Sequence, residues 1–339
     1  MREVQRAGAC PVGMAECCLA LDFGGTKLAA GLVAWRDGTL LRHARCQTAP
    51  ECSAAEQVSD MLRLVQRDLC ISDAEWRTIS TVGVSFGGPV DASTGTVLHS
   101  HHNEGWDGLP LARVLQQALQ RPVLVENDAN AVALAEHCYG AGRGVENLVY
   151  MTISTGIGGG IILDGKLRRG HHGLAGEVGH MVVRSDGPLC TCGNHGCLES
   201  LASGWSIARR AREALVAGGG GERLLALADG RAEAITAEMV FRAARAGDAV
   251  AESVVQVVAA DLGLGIAMLA SVLDPARVIL GGGVARAGEQ LLAPVRAAFR
   301  RHTFDMIVDR VEIVQAAAPD EGGLLGAAAL VAGAAGETR

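Results

Sequence analysis

Short apolar runs along the 339-residue chain predict strands, and the glycines between them predict tight turns. Residues 18–22 and 28–33 form one such pair of strands around a glycine-containing turn. The same unit recurs about 130 residues later, where residues 148–153 and 161–163 flank a glycine-rich turn at 154–160. Two copies predict a duplicated fold with a cleft between the halves; the alternative is a chance likeness of two hairpins.

Helical periodicity occupies much of the remaining chain. Between residues 250 and 273 apolar residues recur at steps of three or four, which is typical of a core-facing helix. Further helices are predicted at 111–119, 129–138, 205–217, 236–246, 288–301 and 322–334. Further strands are predicted at 79–84, 123–125, 277–280 and 311–314. Residues 1–18 have no period and predict a loose tail, whereas the alternation beyond them favours an α/β fold.

Composition and charge narrow the class of protein. With 49% hydrophobic and 20% charged residues, the chain is neither disordered nor fibrous, and its length predicts roughly two domains. The net charge of −7 offers no basic surface for nucleic acid or an anionic membrane. The longest apolar helical stretch, 262–273, is shorter than the roughly 20 residues that span a bilayer, and no signal-length apolar run precedes Leu19. We therefore expect a cytoplasmic protein.

The most specific chemical signal is a cluster of one histidine and three cysteines, His180, Cys190, Cys192 and Cys197. One imidazole and three thiolates complete a tetrahedral zinc shell and leave no position open for water. The cluster therefore predicts a structural Zn²⁺ site that fastens a loop. His195 is a competing ligand, and the alternative to a metal site is three buried cysteines near an unrelated histidine.

Three glycine-rich turns, at 24–25, 156–160 and 281–283, each follow a predicted strand. Glycine lets backbone N–H groups approach anionic oxygens, so the three turns together suit a phosphate-binding role. The P-loop pattern is absent from the sequence. A dinucleotide-binding turn is excluded at 156–160 because a strand, and not a helix, follows it.

Acidic residues that follow strands are candidates for metal and proton chemistry. Asp22 precedes the first glycine turn, where a carboxylate could hold Mg²⁺ beside bound phosphates. Asp128 follows a predicted strand and opens a predicted helix, so it suits either a functional role or a helix N-cap. Glu177 and Glu199 flank the cysteine cluster, whose metal would hold both in place; the alternative for each is an ordinary solvated surface residue.

Five motifs between about residues 19 and 330 resemble, in order, those of the ROK family, which contains bacterial glucokinases, other sugar kinases and sugar-responsive repressors. They are Asp22-Phe-Gly-Gly-Thr26, Glu126-Asn-Asp-Ala-Asn130, Ser154-Thr-Gly-Ile-Gly-Gly-Gly160, Ala175-Gly-Glu-Val-Gly-His180 and Cys190-x-Cys-Gly-x-x-Gly-Cys-x-Glu199. Any one of these motifs is weak, but the set is specific.

The resemblance implies a two-domain, actin/hexokinase-like α/β fold, a duplicated ribonuclease H-like arrangement with a cleft between the domains. The implied boundaries are a tail over 1–18, a smaller domain over 19–128, and a larger domain with the zinc loop over 129–321. A last helix at about 322–339 is expected to return to the smaller domain. A homodimer or homotetramer is usual in the family.

The resemblance further implies ATP-dependent phosphorylation of a hexose, D-glucose to glucose 6-phosphate, with Mg²⁺ and a structural Zn²⁺. Asp128 matches the family's catalytic base. The residues expected to meet the sugar are Gly88, Asn103, Asn127, Asp128, Glu177, His180 and Glu199. Those expected to lie against ATP are Asp22, Gly24, Gly25, Thr26, Lys27, Thr155, Gly156, Gly158, Gly281, Gly282 and Gly283.

One segment departs from the family pattern, in which an Asn-Leu pair comes a few residues before the tryptophan that corresponds to Trp106. Here His102 stands at the Asn position and Asn103 is displaced by one residue, which leaves the sugar specificity open. Alternative substrates are N-acetylmannosamine, N-acetylglucosamine, fructose, mannose and allose.

Two other classes of function are weighed against a kinase. A ROK-type repressor is disfavoured because only 21 residues precede Asp22 and they carry no recognition-helix pattern. A sugar-binding protein without catalysis is disfavoured because Asp22, Asp128 and the three glycine turns are all present.

Overall fold

Every apolar run predicted as a strand contributes to a sheet in the computed structural model of the protein. The structure describes residues 3–6, 16–49, 51–100, 104–218, 220–317 and 321–336. The strands in these ranges are β1 (Glu3–Arg6), β2 (Cys17–Phe23), β3 (Lys27–Ala34), β4 (Thr39–Gln47), β5 (Val82–Phe86), β6 (Val90–Asp91), β7 (Thr96–Val97), β8 (Val123–Asn127), β9 (Leu148–Ile153), β10 (Ile157–Leu163), β11 (Lys166–Leu167), β12 (Arg277–Gly281) and β13 (Glu312–Gln315).

Helices separate most of these strands, as the alternating pattern predicts. They are α1 (Ala54–Arg63), α2 (Asp73–Thr78), α3 (Leu111–Leu119), α4 (Asp128–Tyr139), α5 (Leu198–Ala202), α6 (Gly204–Ala217), α7 (Glu222–Leu227), α8 (Ala237–Arg245), α9 (Ala249–Leu273), α10 (Gly282–Ala285), α11 (Glu289–His302), α12 (Asp305–Val308) and α13 (Gly322–Ala334). A π-helical turn at Leu64–Asp68 continues α1, and single 3₁₀ turns lie at Val178–His180 and Ala232–Ala234.

The two large sheets repeat one strand order. The first runs β1-β4-β3-β2-β5-β8, and the second runs β11-β10-β9-β12-β13. If the edge strand β1 is left out and the strands of each sheet are numbered in chain order, both sheets have the strand order 3-2-1-4-5. In each sheet the last three of these strands pair in parallel, which requires the helical crossovers between them. The duplication predicted from the two glycine hairpins is confirmed.

The chain divides into two compact units. The first comprises the described parts of Met1–Gly144, Gly160–Ala175 and Asp320–Arg339, and the second comprises those of Val145–Gly159 and Gly176–Pro319. Each unit has its own apolar core, built from strands buried on both faces and the inward stripes of the helices. The domain boundaries expected from the family resemblance stay a prediction.

The helix α9 is the longest in the described part of the chain, with 25 residues. It begins at the N-cap Asp248, whose side chain accepts the backbone N–H of Ala251, and it ends at Asp274 in the left-handed conformation. By length and composition alone this helix could cross a membrane, but 67% of its most apolar stretch is buried inside the protein. Such burial is typical of the core helix of a folded domain.

Two helices that the hydrophobic pattern did not predict, α1 and α2, begin at capping boxes. Ser53 and Ser72 each accept the backbone N–H of the residue three positions on, Glu56 and Glu75, whose carboxylates accept the serine's own backbone N–H. A Ser-x-x-Glu sequence is a helix-start signal, so both helices were readable from the sequence.

The expectation of a loose tail over residues 1–18 is wrong at two places. Glu3–Arg6 forms the edge strand β1, which pairs antiparallel with β4, and Cys17 already belongs to β2, one residue before the predicted start of that strand. The strand predicted at 79–84 begins only at Val82, because Ile79 ends the helix α2. Backbone pairing with another strand, which carries no local sequence signal, decides the bounds of β1 and β2, and the end of α2 decides the start of β5.

The carboxy-terminal helix α13 packs in the first unit so closely that two glycines are required. A Cβ on Gly83 of β5 would lie 2.0 Å from the carbonyl oxygen of Ala327, and one on Gly326 would lie 2.3 Å from the backbone of Ala131 in α4. Helix α13 thus packs against the part of the first unit that contains β2 and β5.

We expect Gly83→Ala to lower the free energy of unfolding by roughly 1–3 kcal/mol, because the added methyl group must push helix α13 off the sheet. Thermal or denaturant unfolding of the purified protein measures this. Gly283→Ala is the matched control, since its Cβ would have its nearest neighbour at 3.8 Å. Equal stability of the two variants would show that α13 is not seated on β5.

Candidate active site

The turn from β8 into α4 holds Asn127 and Asp128 in a network of hydrogen bonds. Asn127 is the N-cap of α4, because its Oδ1 accepts the backbone N–H of Asn130 at 3.1 Å. Its Nδ2 donates to the carbonyl of Gly88 at 3.1 Å and to Oδ1 of Asp128 at 3.0 Å. The backbone N–H of Ala129 donates to the same Oδ1 at 2.8 Å. The N-cap role considered for Asp128 therefore belongs to Asn127.

Two properties of this turn suit a proton-accepting carboxylate. Asp128 is the first residue of the 12-residue helix α4, where the helix dipole favours a negative charge. Both described donors to Asp128 reach Oδ1, so they fix the orientation of the carboxylate through one oxygen. Three of the predicted sugar-site residues are thus joined, because the side chain of Asn127 bonds to both Gly88 and Asp128.

Asp22 lies near the end of β2, just before the first glycine turn. The hydroxyl of Ser85 in β5 donates to Asp22 Oδ1 at 2.8 Å. Burial raises the pKa of the Asp22 carboxyl, while Ser85, Lys27 and Arg45 act in the opposite direction. A Cβ on Gly323, in the first turn of α13, would lie 2.4 Å from this carboxylate. A partly buried carboxylate of this kind gains stability from a bound cation.

The first glycine turn is closed by a bond from the N–H of Gly24 to the carbonyl of Lys27 at 3.1 Å. Gly25 and Thr26 at its tip are exposed, whereas Lys27 already pairs with β4 as the first residue of β3. Four of the predicted ATP-site residues thus form one hairpin turn directly after Asp22.

The second glycine turn is shorter than the sequence predicts. Only Ser154, Thr155 and Gly156 lie between β9 and β10, and Gly158–Gly160 belong to β10. The strand glycines permit close packing, since a Cβ on Gly160 would lie 2.5 Å from that of Ala133 in α4. Predicting a turn over 154–160 was therefore wrong for its second half.

The third glycine turn places backbone against backbone. Gly281 ends β12, and Gly282 has a φ of +84° with no room for a side chain, because a Cβ would lie 2.5 Å from the carbonyl oxygen of Ile153. Gly283 is the second residue of the short helix α10. Gly281–Gly283 therefore lies against the end of β9, next to the second turn.

The four predicted metal ligands converge. The ligand atoms of His180, Cys190, Cys192 and Cys197 all lie within 4.8 Å of one another, and no other such group occurs among the described residues. Cys190 Sγ lies 3.7 Å from His180 Nδ1, and Cys192 Sγ lies 3.6 Å from Cys197 Sγ. Zn–S bonds of about 2.3 Å put tetrahedral sulfur ligands about 3.8 Å apart, so this donor set fits zinc.

The ring of His180 and the thiols of the cluster have distinct surroundings. His180 Nδ1 faces the sulfurs, and its Nε2 lies 4.0 Å from Glu177 Oε2. The backbone N–H of Asn194 lowers the pKa of Cys192, whereas burial raises that of Cys197 to about 12. His195, the competing ligand, instead has Nδ1 3.1 Å from the carbonyl of Gly187.

Glu199 connects the cysteine loop, residues 181–197, with the second glycine turn. Its Oε2 accepts the backbone N–H of Ile157 at 2.9 Å, and its Oε1 accepts the hydroxyl of Thr191 at 3.3 Å. A Cβ on Gly156 would lie 2.4 Å from Oε2. Glu199 is in the first turn of α5, whose N-cap is the predicted metal ligand Cys197, so a metal at this site would fix the carboxylate.

A buried aspartate of α9, not singled out by the sequence analysis, fastens the cysteine loop. The Asp261 side chain is fully buried and accepts hydrogen bonds from Arg184 at 2.5 Å and from Arg210 at 2.8 Å. The backbone carbonyl oxygen of Arg184 in turn accepts the backbone N–H of Gly187. The sequence signal was a single acidic residue within an apolar helical stripe.

Asn103, predicted to contact the sugar, and the neighbouring His101 and His102 lie outside the described residues. Ser85, the partner of Asp22, was missed because it is 63 positions away and its own sequence context carries no signal.

Comparisons with known proteins agree on one family. The sequence model of the ROK family matches residues 18–334. A glucokinase of Halalkalibacterium halodurans is 40% identical over 74% of this chain and 76% of its own length. An N-acetylmannosamine kinase of Escherichia coli is 34% identical over 93% and 98%.

A solved structure extends the likeness to the fold. The ROK family glucokinase of Streptomyces griseus, in complex with glucose and AMPPNP, is 38% identical, covers 93% of this chain and 98% of its own, and has a TM-score of 0.81. The actin/hexokinase-like α/β fold expected from the sequence is confirmed. The matched motifs, the repeated sheets and these relatives together establish that the chain belongs to the ROK family.

Proposed function

We propose that this protein is an ATP-dependent hexose kinase that converts D-glucose to glucose 6-phosphate, with Asp128 as general base. The observation that carries the proposal is the Gly88–Asn127–Asp128 network, in which a carboxylate at the start of α4 is oriented by two donors. It is supported by the likeness to glucokinases, one of them solved with glucose and an ATP analogue.

The proposed chemistry is the transfer of the γ-phosphoryl group of ATP to O6 of the sugar. The O6 hydroxyl gives its proton to the Asp128 carboxylate as its oxygen attacks the γ-phosphorus, and ADP leaves with the electron pair of the broken P–O bond. The side chain of Asn127 holds the carboxylate, and its position as N-cap keeps both residues at the start of a rigid helix.

The proposed nucleotide site consists of the three glycine turns. Backbone N–H groups of the first turn, of Thr155–Gly158 and of Gly281–Gly283 are expected to bind phosphate oxygens, because the glycines in each turn have no side chain that would keep an anion away. Asp22 would hold Mg²⁺, which supplies positive charge at the transferred phosphoryl group.

The proposed metal at His180, Cys190, Cys192 and Cys197 is a structural Zn²⁺. When bound, it supplies four fixed bonds and no open coordination position. His180 and its neighbour Glu177, together with Glu199 on α5, are the proposed sugar ligands on this loop. A metal ligand whose second ring nitrogen meets the substrate would couple the stability of the loop to sugar binding.

For the assembled protein we propose a homodimer or homotetramer in the cytoplasm, where ATP is available, without nucleic-acid or membrane partners. The family resemblance supports the assembly, and the net charge of −7 supports the absence of nucleic acid as partner. Light scattering of the purified protein measures the assembly.

An N-acetylated hexosamine is the second candidate substrate, since an N-acetylmannosamine kinase covers nearly the whole chain at 34% identity. A panel of glucose, mannose, fructose, allose, N-acetylglucosamine and N-acetylmannosamine with Mg-ATP separates the two, with kcat/KM read from ADP formation. We expect glucose to have the highest value, because polar groups fixed in a buried site penalise a misplaced substituent.

An N-acetylated sugar that exceeds glucose by more than about tenfold, roughly 1.4 kcal/mol of transition-state preference, would reject the glucokinase assignment and keep the kinase. ADP formation with none of the sugars would reject the kinase, and sugar binding without turnover would identify a sugar-binding protein. The Asp128→Asn protein supplies the background rate for every sugar.

A further inference from the structure

Glu126, the residue before the Asn127–Asp128 turn, is a buried carboxylate that neither the proposed base nor the proposed sugar site uses. Only 1% of the residue is exposed. Its Oε1 accepts the backbone N–H of Asn127 at 3.1 Å and Nδ2 of Asn130 at 3.0 Å. Its Oε2 accepts Nε of Arg169 at 2.6 Å. All three described partners are donors, so this site requires an ionised carboxylate and not an amide.

Arg169 supplies the positive charge that a buried carboxylate needs. It lies two residues after β11, and its carbonyl accepts the backbone N–H of Ala175 at 3.0 Å, which closes the segment 169–175 on itself. The ion pair with Glu126 joins two parts of the first unit that are 43 positions apart in the sequence. Along the chain, Ala175 is followed two residues later by Glu177.

The bonds of Glu126 act on the peptide that carries the proposed base. Holding the N–H of Asn127 fixes the exit of the chain from β8, and holding Nδ2 of Asn130 fixes the first turn of α4. The side chain of Asn127, which donates to Asp128 Oδ1, starts from this fixed backbone. An error of about 1 Å in the position of a reacting group can cost about 100-fold in rate.

We propose that Glu126 and Arg169 are positioning residues for the Asp128 base: their ion pair fixes the turn that aims the carboxylate of Asp128. The inference rests on the proposed kinase function. Glu126 is the first residue of the Glu126–Asn130 motif, and Arg169 lies outside all five motifs. The proposal gives both residues a role in turnover and not in sugar binding.

The test uses the full-length protein and steady-state kinetics with its best hexose substrate and Mg-ATP. Glu126→Gln preserves the size of the side chain but turns an NH₂ group toward one of the three donors. Arg169→Met removes the charge and the donor. We expect each variant to lower kcat by about 10- to 100-fold, with the KM of the sugar and of ATP within about threefold of the wild type.

Arg168→Met is the matched control, because the neighbouring Arg168 pairs with Asp164 on the surface and does not reach Glu126. We expect it to keep kcat within about twofold of the wild type. Arg169→Lys, which keeps the charge, is expected to recover most of the kcat that Arg169→Met loses. The double variant Glu126→Gln/Arg169→Met is expected to be no slower than the slower single variant, since both remove one interaction.

Unchanged kcat in Glu126→Gln, a loss confined to KM, multiplicative losses in the double variant, or an equal loss in Arg168→Met would each overturn the proposal. If Glu126→Gln does not fold, the comparison of Arg169→Met with Arg169→Lys decides it, because the Arg169 side chain is 39% exposed and tolerates replacement better. A wild-type protein that phosphorylates no hexose would reject the kinase itself, whereas an active wild type with unaffected variants rejects only the positioning role.

Discussion

Asp128→Asn is expected to lower kcat at least about 100-fold while the protein stays folded. Removing a general base typically costs two to four orders of magnitude in rate. The amide oxygen of an asparagine can still accept the N–H of Ala129 and Nδ2 of Asn127, so the hydrogen bonds now made by Asp128 Oδ1 persist. The N-cap of α4 persists as well, because Asn127 supplies it. The expected loss is therefore chemical and not structural.

The measurement is kcat with saturating glucose and Mg-ATP, accompanied by thermal unfolding and by direct glucose binding. Asp91→Asn is the matched control, because Asp91 also accepts a backbone N–H close to it in sequence, that of Ser93, in a turn of the first unit. We expect the control to retain wild-type turnover. Near wild-type turnover in Asp128→Asn would refute the assignment of the base and leave Asp128 with a structural role.

One zinc per chain is expected by elemental analysis of protein purified without added metal, and less than about a tenth of that in Cys192→Ser. Three remaining ligands hold Zn²⁺ far more weakly than four, and the free energy of metal binding is also free energy of loop folding. Cys192 is exposed, so its replacement leaves the apolar core unchanged.

Loss of the metal is expected to weaken glucose binding by about 10- to 100-fold, the scale on which outer-sphere partners of metal sites act. Two contacts connect the proposed metal site with Glu199. Cys197 is the N-cap of the helix that carries Glu199, and Thr191, which lies between Cys190 and Cys192, donates to Glu199 Oε1. Cys52→Ser, in the first unit, is the control and should retain both zinc and glucose affinity. A zinc-free preparation with full activity would contradict the structural role of the metal.

The sequence alone determined the features that depend on neighbours along the chain. The convergence of His180, Cys190, Cys192 and Cys197 could be predicted because a tetrahedral site in one loop needs its ligands close in sequence. The helices α3, α9 and α13 were readable from apolar period or composition, and their bounds agree with prediction to within a residue.

The tertiary structure decided the features that join distant parts of the chain. Ser85 reaches Asp22 because β2 and β5 are parallel neighbours, and Arg169 reaches Glu126 although 43 positions separate them. Gly158–Gly160 were assigned to a turn from composition, but the packing of β10 on α4 makes Gly160 a strand residue with no room for a side chain. Hydrogen bonds and close contacts between segments distant in sequence leave no period or local pattern, because each partner is chosen by the fold and not by its neighbours in the chain.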